Sequence, residues 1–487
     1  MVYPKKIFHF VGNKEITSAS ERFFSKINPD SGRVIADVAR GNGQDVDKAI
    51  TVASKALDGW RKISVVERSL ILRNATVIMG QRRKEIAQIV SVETGKSLKD
   101  ALGEVLAAVE LGFFISGEGR RFYGRTTTSA VLNRFAMTVR SPIGVCALIV
   151  AANTPIANVA WKAYPALLCG NAAVMKPSED TPYTAIWFAR VLKEAGLPLG
   201  IFNVILGFGE EAGVALVEDS RVDLVSFTGS VPVGKYIQST AGERLAKVCL
   251  ELGGKNPFVV CDDADLDAAC DAAVLSAFSN AGQRCASGSR IIVFDNVYEK
   301  FKKMLVVKTK NLKLGNSDSD DLGPVINSGQ LEQMLLAVEK ARSEGVRVLC
   351  GGLRLVDSSH KNGYYMVPTI IENANERASI SQDELFGPIT ILFRVKDFAE
   401  ALKLANNSVY GLTAAIHTKS IDRAEVFRSE IQAGVISING PTHGSEPHMP
   451  FGGFKNSGNG FREPGTEALD VYSEWKTVYI KHDPENI

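Results

Sequence analysis

The stretch VCALIVAANTPIANVAWKAYPALLCGNAAVMK, residues 145–176, decides the fold because it places an apolar strand, a helix and a second apolar strand in succession. The first strand covers residues 145–150, the helix 157–168 and the second strand 172–175. Strands that are apolar on both faces and joined by helices are typical of a parallel sheet covered by helices on both sides. The stretch therefore predicts an α/β fold.

The alternation continues towards the C-terminus, with a helix at 181–195 and strands at 202–206 and 224–227. In open α/β sheets, ligands bind beyond the carboxyl ends of the strands. A polar or glycine-containing segment follows each of these strands. The pattern predicts a ligand-binding edge that consists of Asn153, residues 176–179, Gly207 and residues 228–230.

Helices precede this sheet, and a second α/β region follows it from about Gly254 onwards. A helical repeat of apolar residues begins at Asp45, which we expect to be an N-cap. In the second region, we expect Asp262 and Asp263 to begin a helix, because carboxylates stabilise its positive end. A strand at 291–293 follows that helix.

Two further segments predict strands outside the large sheets. Short strands at 126–128 and 135–139 flank a polar turn and predict a hairpin, which is marginally stable in water unless it packs elsewhere. Residues 475–480 predict a strand near the C-terminus. An unpaired strand edge can bind another chain, so this last strand predicts a contact between subunits.

The composition narrows the class of protein. A chain of 487 residues is long enough for roughly three domains. A net charge of +2 gives no reason to expect a nucleic acid or an acidic membrane as partner. The seven cysteines show no paired spacing, which predicts a reducing, cytoplasmic compartment with neither disulfides nor a metal site. The first residues lack the long apolar segment of a secretory signal.

Two segments carry residues suited to catalysis. In SNAGQRCASGSR, residues 279–290, Cys285 lies among small residues that let a substrate carbon approach the sulfur. A cysteine attacks a carbonyl as the thiolate, although many cysteines are simply small buried apolar residues. In LELGGK, residues 250–255, Glu251 precedes paired glycines. A carboxylate there either activates water or caps the backbone.

These two segments resemble the nucleophile and general-base motifs of the NAD(P)-dependent aldehyde dehydrogenase superfamily, and the resemblance extends from about residue 20 to about residue 480. It implies a Rossmann-like parallel-sheet cofactor domain, a second α/β catalytic domain and a small β oligomerisation arm. It also implies a homodimer or homotetramer. The expected ranges are 1–125 and 142–253 for the cofactor domain, 254–440 for the catalytic domain, and 126–141 and 465–487 for the arm.

The resemblance implies a role for each catalytic residue. Cys285 is the nucleophile, Glu251 the general base and Asn153 the donor to the oxyanion. Attack on an aldehyde gives a thiohemiacetal, and hydride transfer to a nicotinamide leaves a thioester, which water hydrolyses to the carboxylic acid. The family usually has an aromatic residue before this asparagine, whereas this chain has Ala152, which predicts a different pocket wall.

The resemblance also implies a dinucleotide site. A carboxylate such as that of Glu179 suits a ribose 2′-hydroxyl and repels a 2′-phosphate, so NAD is the expected cofactor and NADP a possible one. The segment from Gly229 opens a helix whose positive end suits a pyrophosphate. The expected cofactor-binding residues are Lys176, Ser178, Glu179, Gly229, Ser230, Gly234, Leu252, Glu384 and Phe386.

The substrate is less defined than the reaction. Arg284 adjoins the nucleophile and either binds a substrate carboxylate, lowers the thiol pKa or has only a structural role. The first option favours an anionic semialdehyde, with Arg140 and the arginines of 120–125 as further contributors. His443 and His448 are expected to be structural, because they are not spaced as a metal site.

Three other functions stay open from the sequence. One is a coenzyme A-acylating semialdehyde dehydrogenase, against which the presence of Glu251 counts. Another is a non-catalytic binding or structural protein on the same scaffold. The last is a thiol hydrolase that cleaves activated esters through Cys285 without a cofactor.

Overall fold

A computed structural model describes residues 3–485, so residues 1, 2, 486 and 487, which end two of the expected domain ranges, lie outside it. The helices are α1 Gly43–Lys62, α2 Val65–Gln81, α3 Arg83–Thr94, α4 Leu98–Gly117, α5 Pro155–Leu168, α6 Pro182–Glu194, α7 Val214–Glu218, α8 Val231–Gly242, α9 Leu266–Phe278, α10 Asp295–Lys310, α11 Ser328–Ser343, α12 Ser379–Gln382, α13 Phe398–Asn406, α14 Ile421–Glu430 and α15 Ala468–Val471.

The strands are β1 Lys6–Ile7, β2 His9–Val11, β3 Lys14–Ile16, β4 Phe23–Ile27, β5 Val34–Ala39, β6 Thr126–Thr127, β7 Arg134–Pro142, β8 Val145–Ile149, β9 Ala172–Lys176, β10 Phe202–Val204, β11 Leu224–Thr228, β12 Lys247–Glu251, β13 Pro257–Val260, β14 Arg290–Phe294, β15 Arg347–Cys350, β16 Thr369–Glu372, β17 Ile389–Val395, β18 Tyr410–Gly411, β19 Thr413–His417, β20 Val435–Ile438, β21 Phe454–Lys455 and β22 Ser473–Lys481. They form two large sheets and three small ones.

The first large sheet has the strand order β12-β11-β8-β9-β10-β2-β3. The strands from β12 to β10 are mutually parallel, and β2 and β3 add an antiparallel edge. Strands β8, β9 and β10 are buried along their whole length. The predicted parallel sheet is therefore confirmed, and its strand carboxyl ends all lie at one edge.

The second large sheet has the order β15-β16-β17-β14-β13-β19-β20 and is parallel except for β15. Its central strand β14 is fully buried and begins at Arg290. The Arg290 guanidinium donates to the carbonyl oxygens of Leu404 (2.6 Å) and Ala405 (3.4 Å) near the end of α13. Cations stabilise the negative end of a helix, so this bond helps to fix α13 on the sheet.

The hairpin and the C-terminal strand form one small sheet with the order β22-β7-β6, in which β7 is antiparallel to both neighbours. The hairpin thus packs against the chain's own last strand, which supplies the partner that the sequence required. Arg140 on β7 lies over the ring of Trp475 (4.0 Å) and pairs with Asp470 (2.7 Å). Arg140 therefore stabilises the small sheet through a ring of β22 and a carboxylate of α15.

Two of the expected helix starts are wrong. The N-cap of α1 is Asn42, and Asp45 is the third helical residue, whose carboxylate bonds back to the Asn42 N–H (3.1 Å) in a capping box. Likewise, Asp265 caps α9, whereas Asp262 and Asp263 lie before the helix. In both cases several residues able to cap stand close together, and the apolar repeat alone does not choose between them.

The seven cysteines are free thiols. Between residues 3 and 485, no helix is both long enough and apolar enough to cross a membrane. Over the same range, no group of three or more His, Cys, Asp or Glu side chains is arranged to hold a metal ion.

We expect Asn42→Ala to destabilise α1 by about 1 kcal/mol, because the Asn42 side chain accepts from the N–H groups of Gln44 and Asp45. The matched control is Asn42→Ser, which keeps a capping oxygen and should melt close to the wild type. Thermal unfolding checks both variants, and equal melting temperatures for the two would show that the cap contributes nothing.

Candidate active site

The two large sheets bring the predicted catalytic residues together. Glu251 is the last residue of β12, and Asn153 follows β8 at the same edge of the first sheet. Cys285 belongs to the loop that leads into β14 of the second sheet, residues 279–289, which we term the nucleophile loop. Residues 252–256 join β12 directly to β13, so the edges of the two sheets meet at this point.

Asn256 holds the nucleophile loop in place. Its side-chain amide donates to the carbonyl oxygens of Cys285 (2.7 Å) and Ser287 (2.9 Å), and its Oδ1 accepts from the Thr413 N–H (3.0 Å). A Cβ atom on the neighbouring Gly254 would clash with the Cys285 carbonyl. Sequence reasoning missed Asn256, although an asparagine two residues after the paired glycines offered a signal.

Asn153 contacts the same loop from the first sheet. Its Nδ2 donates to the Gln283 carbonyl (3.0 Å), and its Oδ1 accepts from Asn158 (3.2 Å). Asn280 donates in turn to the Asn153 carbonyl (3.1 Å). These bonds fix the Asn153 amide beside Gln283, which lies two residues before Cys285 in the chain. From this position the amide can donate to an oxygen on the reacting carbon.

The Cys285 thiol is held in its neutral form. The residue keeps some exposure, yet burial of the sulfur raises the pKa of Cys285 to about 12, and the negative charges of Glu384 and Glu251 contribute further. The charge of Arg284 and the Ala286 N–H act in the opposite direction. In this state, the cysteine carries its proton at neutral pH.

The surroundings of Glu251 also favour its protonated form. Both carboxylate oxygens are buried and lack a hydrogen-bond partner among the described residues, and burial raises the pKa of Glu251 well above its usual range. The nearby charge of Glu463 adds to the shift, whereas Lys162 opposes it. Lys162 and Glu463 form a buried ion pair (2.8 Å) that also contacts Ser226 and Tyr472.

Arg284 lies beside the nucleophile with most of its donors unused. Its Nε donates to Ser279 Oγ (3.1 Å), and this hydroxyl also contacts His443 Nε2 (3.1 Å). Burial, followed by the charge of Arg284, lowers the pKa of His443 to about 4, so the imidazole is neutral near pH 7. Within residues 3–485, no carboxylate forms an ion pair with Arg284.

An aromatic pair borders the nucleophile. The rings of Trp161 and Phe451 meet edge to face with centroids 5.5 Å apart. Both belong to an apolar cluster that includes Cys285, Ala286 and Leu412. Aromatic side chains from α5 and from the loop at 451 thus pack next to Cys285.

The first cofactor segment lies at the end of β9. The ammonium of Lys176 is 3.6 Å from the carboxylate of Glu179, and the lysine is buried while the glutamate is largely exposed. Ser178 accepts from the Asp180 N–H (3.3 Å) and shapes the turn between them. An ammonium and an exposed carboxylate at a strand end suit the hydroxyl groups of a ribose.

The second segment opens α8. Ser230 is its N-cap but makes no side-chain capping bond, so the first N–H groups of the helix are left for a ligand. A Cβ atom on Gly234 would lie 2.6 Å from Leu252, so the glycine lets this leucine pack against the helix. Gly229 likewise leaves room for the ring of Phe227. The segment fits a diphosphate.

The third segment, residues 383–388, reaches the nucleophile loop and is termed the cofactor loop. The Gly254 N–H donates to Glu384 Oε1 (2.9 Å), and burial raises the pKa of Glu384 to about 7. Phe386 has a left-handed backbone (φ +53°), which is strained for a residue with a side chain. Glu384, Phe386 and Arg284 line one cavity, so the cofactor loop lies beside the nucleophile loop.

Known proteins share this arrangement of sheets and loops. Residues 16–478 match the aldehyde dehydrogenase family. The chain belongs to this family.

Individual relatives cover almost the whole aldehyde dehydrogenase chain. It is 39% identical over 476 residues to an alpha-ketoglutaric semialdehyde dehydrogenase of Bacillus subtilis (strain 168), covering 97% of this chain and 98% of the relative. A betaine aldehyde dehydrogenase of Brucella anthropi is 37% identical over 480 residues, covering 98% and 97%. The betaine aldehyde dehydrogenase of Staphylococcus aureus in complex with NAD+ superposes with a TM-score of 0.95 at 33% identity, covering 98% of this chain and 95% of that one.

Membership in the family confirms the predicted α/β architecture and the predicted reaction class. The protein is an aldehyde dehydrogenase, an oxidoreductase that converts aldehydes to acids with NAD(P)+. The roles of individual side chains stay predictions at this point, and the structure contributes their placement.

We expect iodoacetamide to alkylate Cys285 of the cofactor-free aldehyde dehydrogenase faster as the pH rises, because only the thiolate reacts and its pKa is about 12. The rate should grow by about tenfold per pH unit between neutral and alkaline pH. Mass spectrometry of labelled peptides measures it, with Cys350, another partly exposed thiol, as internal comparison. A rate that levels off near neutral pH would contradict the neutral thiol.

Proposed function

We propose that this aldehyde dehydrogenase oxidises an anionic semialdehyde, an aldehyde that also carries a carboxylate, to the corresponding acid with NAD+. The observation that carries the proposal is Arg284, a half-buried guanidinium next to Cys285 that forms no ion pair in the described part of the chain, although the charges of Glu104 and Asp100 favour its protonated form. The alpha-ketoglutaric semialdehyde dehydrogenase of Bacillus subtilis, at 39% identity, supports the same substrate class.

The energetics of Arg284 favour this substrate. A buried charge is costly unless it is paired, and burial here lowers the pKa of Arg284. A guanidinium binds a carboxylate through parallel N–H donors, and the bond to Ser279 occupies only Nε. A substrate carboxylate would therefore supply the missing partner, while the aromatic pair Trp161 and Phe451 contacts the carbon chain.

Cys285 and Asn153 perform the first half of the reaction in this proposal. The thiol releases its proton to water, the sulfur attacks the aldehyde carbon, and the carbonyl oxygen becomes an oxyanion in a thiohemiacetal. Asn153 donates to this oxyanion without adding a charge, and the Cys285 N–H, which has no acceptor among the described residues, provides a second donor. The Staphylococcus aureus betaine aldehyde dehydrogenase with a BME-modified cysteine supports a reactive thiol in this fold.

Glu251 performs the second half. Its carboxylate lacks a hydrogen-bond partner, so a water molecule that enters the site stabilises the ionised form and lowers the pKa of Glu251. The carboxylate then takes a proton from the water that attacks the thioester, which releases the acid. The adjacent pair of Lys162 and Glu463 gives this proton a polar route away from the thiol. A base in this position favours hydrolysis over transfer to coenzyme A.

NAD+ supplies the hydride acceptor when it is bound. In this proposal, Lys176 and Glu179 contact the adenosine ribose, the start of α8 contacts the diphosphate, and Glu384 contacts the ribose next to the nicotinamide. The exposed carboxylate of Glu179 disfavours a 2′-phosphate and so favours NAD+ over NADP+. The other contributors are Ser178, Gly229, Ser230, Gly234, Leu252 and Phe386.

The arm provides the basis for assembly. The outer edge of β22 is unpaired among the described strands, and Trp475, Tyr479 and Ile480 are exposed on it. These features support a homodimer or homotetramer built through residues 126–141 and 465–487. The free thiols support a cytoplasmic location, and the two large sheets support the cofactor and catalytic domain ranges expected from the sequence.

Arg284→Met tests the substrate class. Loss of a charge-assisted bond worth about 2 kcal/mol should raise KM for succinic semialdehyde roughly thirtyfold. The KM for butyraldehyde, a neutral aldehyde with the same number of carbons, should change little. Absorbance at 340 nm measures both rates with NAD+.

The matched control for this experiment is Arg121→Met, which removes an exposed arginine that pairs with Glu118. It should leave both KM values close to those of the wild type. Equal losses for the two aldehydes in Arg284→Met would contradict recognition of the carboxylate and leave the dehydrogenase assignment intact.

Glu251→Gln tests the division of labour between Glu251 and Cys285. The variant should form one equivalent of NADH rapidly and then stall, because the thioester accumulates without a base to activate water. Stopped-flow absorbance and intact mass of the acylated enzyme detect this state. Cys285→Ala should show neither the burst nor the added mass, and turnover in Cys285→Ala would overturn the mechanism.

A further inference from the structure

One buried cation in the site has no task in the proposed reaction. Lys255 is almost fully buried, and its Nζ donates to the carbonyl oxygen of Asp383 (2.6 Å) at the start of the cofactor loop. We propose that Lys255 is a positioning residue that keeps the cofactor loop in register with the nucleophile loop, so that bound NAD+ meets the carbon attached to Cys285. The inference rests on the proposed function of this site.

The contacts between the two segments are reciprocal. The Gly254 N–H donates to the carboxylate of Glu384 (2.9 Å), and the neighbouring Lys255 donates to the carbonyl of the neighbouring Asp383 (2.6 Å). Two adjacent residues of one segment thus bind two adjacent residues of the other. This pairing fixes both the distance of the cofactor loop and its orientation, which a single bond would not do.

The next residue along the chain holds the nucleophile. Asn256 donates to the carbonyl oxygens of Cys285 (2.7 Å) and Ser287 (2.9 Å). Lys255 and Asn256 therefore bind two different loops from consecutive backbone positions. A shift of this short segment would move the cofactor loop and the nucleophile loop together, and loss of either side chain would release only one of them.

Besides Lys255, the start of the cofactor loop is held by the Gly254 bond to Glu384 and by the Asp383 N–H, which donates to the Ser379 carbonyl (2.7 Å). Its other supports lie further along. Gln330 donates to the Leu385 carbonyl (2.9 Å), and Gly387 packs closely against Gly282 of the nucleophile loop. Phe386 between them has the strained left-handed backbone. Among the described contacts, Lys255 is the side chain that holds the loop immediately before Glu384.

The surroundings of Lys255 fit an electrostatic role as well. Burial lowers the pKa of Lys255 to about 7, with a further contribution from Arg290, while Glu384 and Asp383 favour the charged form. Its side chain lines the same cavity as Glu384 and as Ser289, whose buried hydroxyl lacks a partner. Burial of a charged amine costs free energy. A lysine at this buried position next to the loop of Glu384 therefore indicates a function beyond packing.

Lys255→Met tests the inference by separating two reactions of Cys285. Oxidation of succinic semialdehyde needs NAD+, whereas hydrolysis of p-nitrophenyl acetate proceeds through Cys285 and Glu251 without NAD+. We expect KM for NAD+ to rise about tenfold or more, because a hydrogen bond from a charged group is lost. The primary isotope effect with the deuterated aldehyde should increase, because a displaced cofactor slows hydride transfer. Ester hydrolysis should stay within about twofold of the wild type.

Lys255→Gln serves as the conservative variant, because its amide can still donate to the Asp383 carbonyl; it should recover part of the lost affinity for NAD+. The matched control is Lys302→Met, which removes an ammonium on α10 that pairs with Glu372 of β16. This variant should behave as the wild type. If Lys255→Met does not fold, Lys255→Gln alone decides, with an intermediate KM expected.

Two outcomes would overturn the inference. Equal losses of ester hydrolysis and NAD+-dependent oxidation, together with a lower melting temperature, would give Lys255 a purely structural role. Unchanged KM for NAD+ in Lys255→Met would remove its link to the cofactor. If the wild type oxidises no semialdehyde, the proposed substrate fails, and titration of NAD+ binding to wild type and Lys255→Met still tests the positioning role.

Discussion

The short connection between the two sheets governs the rest of this structure. Residues 252–256 are all that separates β12 from β13, so the strand ends of one sheet must abut the other sheet. Gly253 and Gly254 leave no side chain at the junction, where a Cβ atom would clash with Glu384 or with the Cys285 carbonyl. Glu251, the nucleophile loop and the cofactor loop therefore lie close together, because this connection is short and its two glycines carry no side chain.

Convergence at a dry junction has an electrostatic consequence. Burial raises the pKa of Cys285 to about 12 and that of Glu251 well above its usual range, and each anion would also disfavour the other. The structure therefore favours the protonated form of both groups. Entry of substrate and water changes the dielectric surroundings of both groups, which links reactivity to occupancy.

The sequence predicted those features that depend on local pattern. Apolar runs located β8, β9 and β11, and the strand ends pointed to Asn153 and Lys176. The sequence did not predict the hydrogen bonds of Lys255 and Asn256, because their partners lie far away in the chain, at residues 383 and 285–287. Local pattern also misplaced the start of α1, where Asn42 caps the helix although Asp45 stands nearer to the apolar repeat.

The pocket wall shows how such an enzyme changes its substrate without changing its chemistry. The chain has Ala152 before Asn153, and aromatic contact with the site comes instead from Trp161 on α5 and from Phe451, which meet across nearly three hundred residues of sequence. Arg284 likewise belongs to a loop, whereas Glu251 belongs to a strand end. Loop residues can vary while the strand ends keep the reacting groups in place. Substrate choice therefore depends on side chains that the sheets do not position. For this reason, the strand pattern of the sequence predicts substrate choice least well.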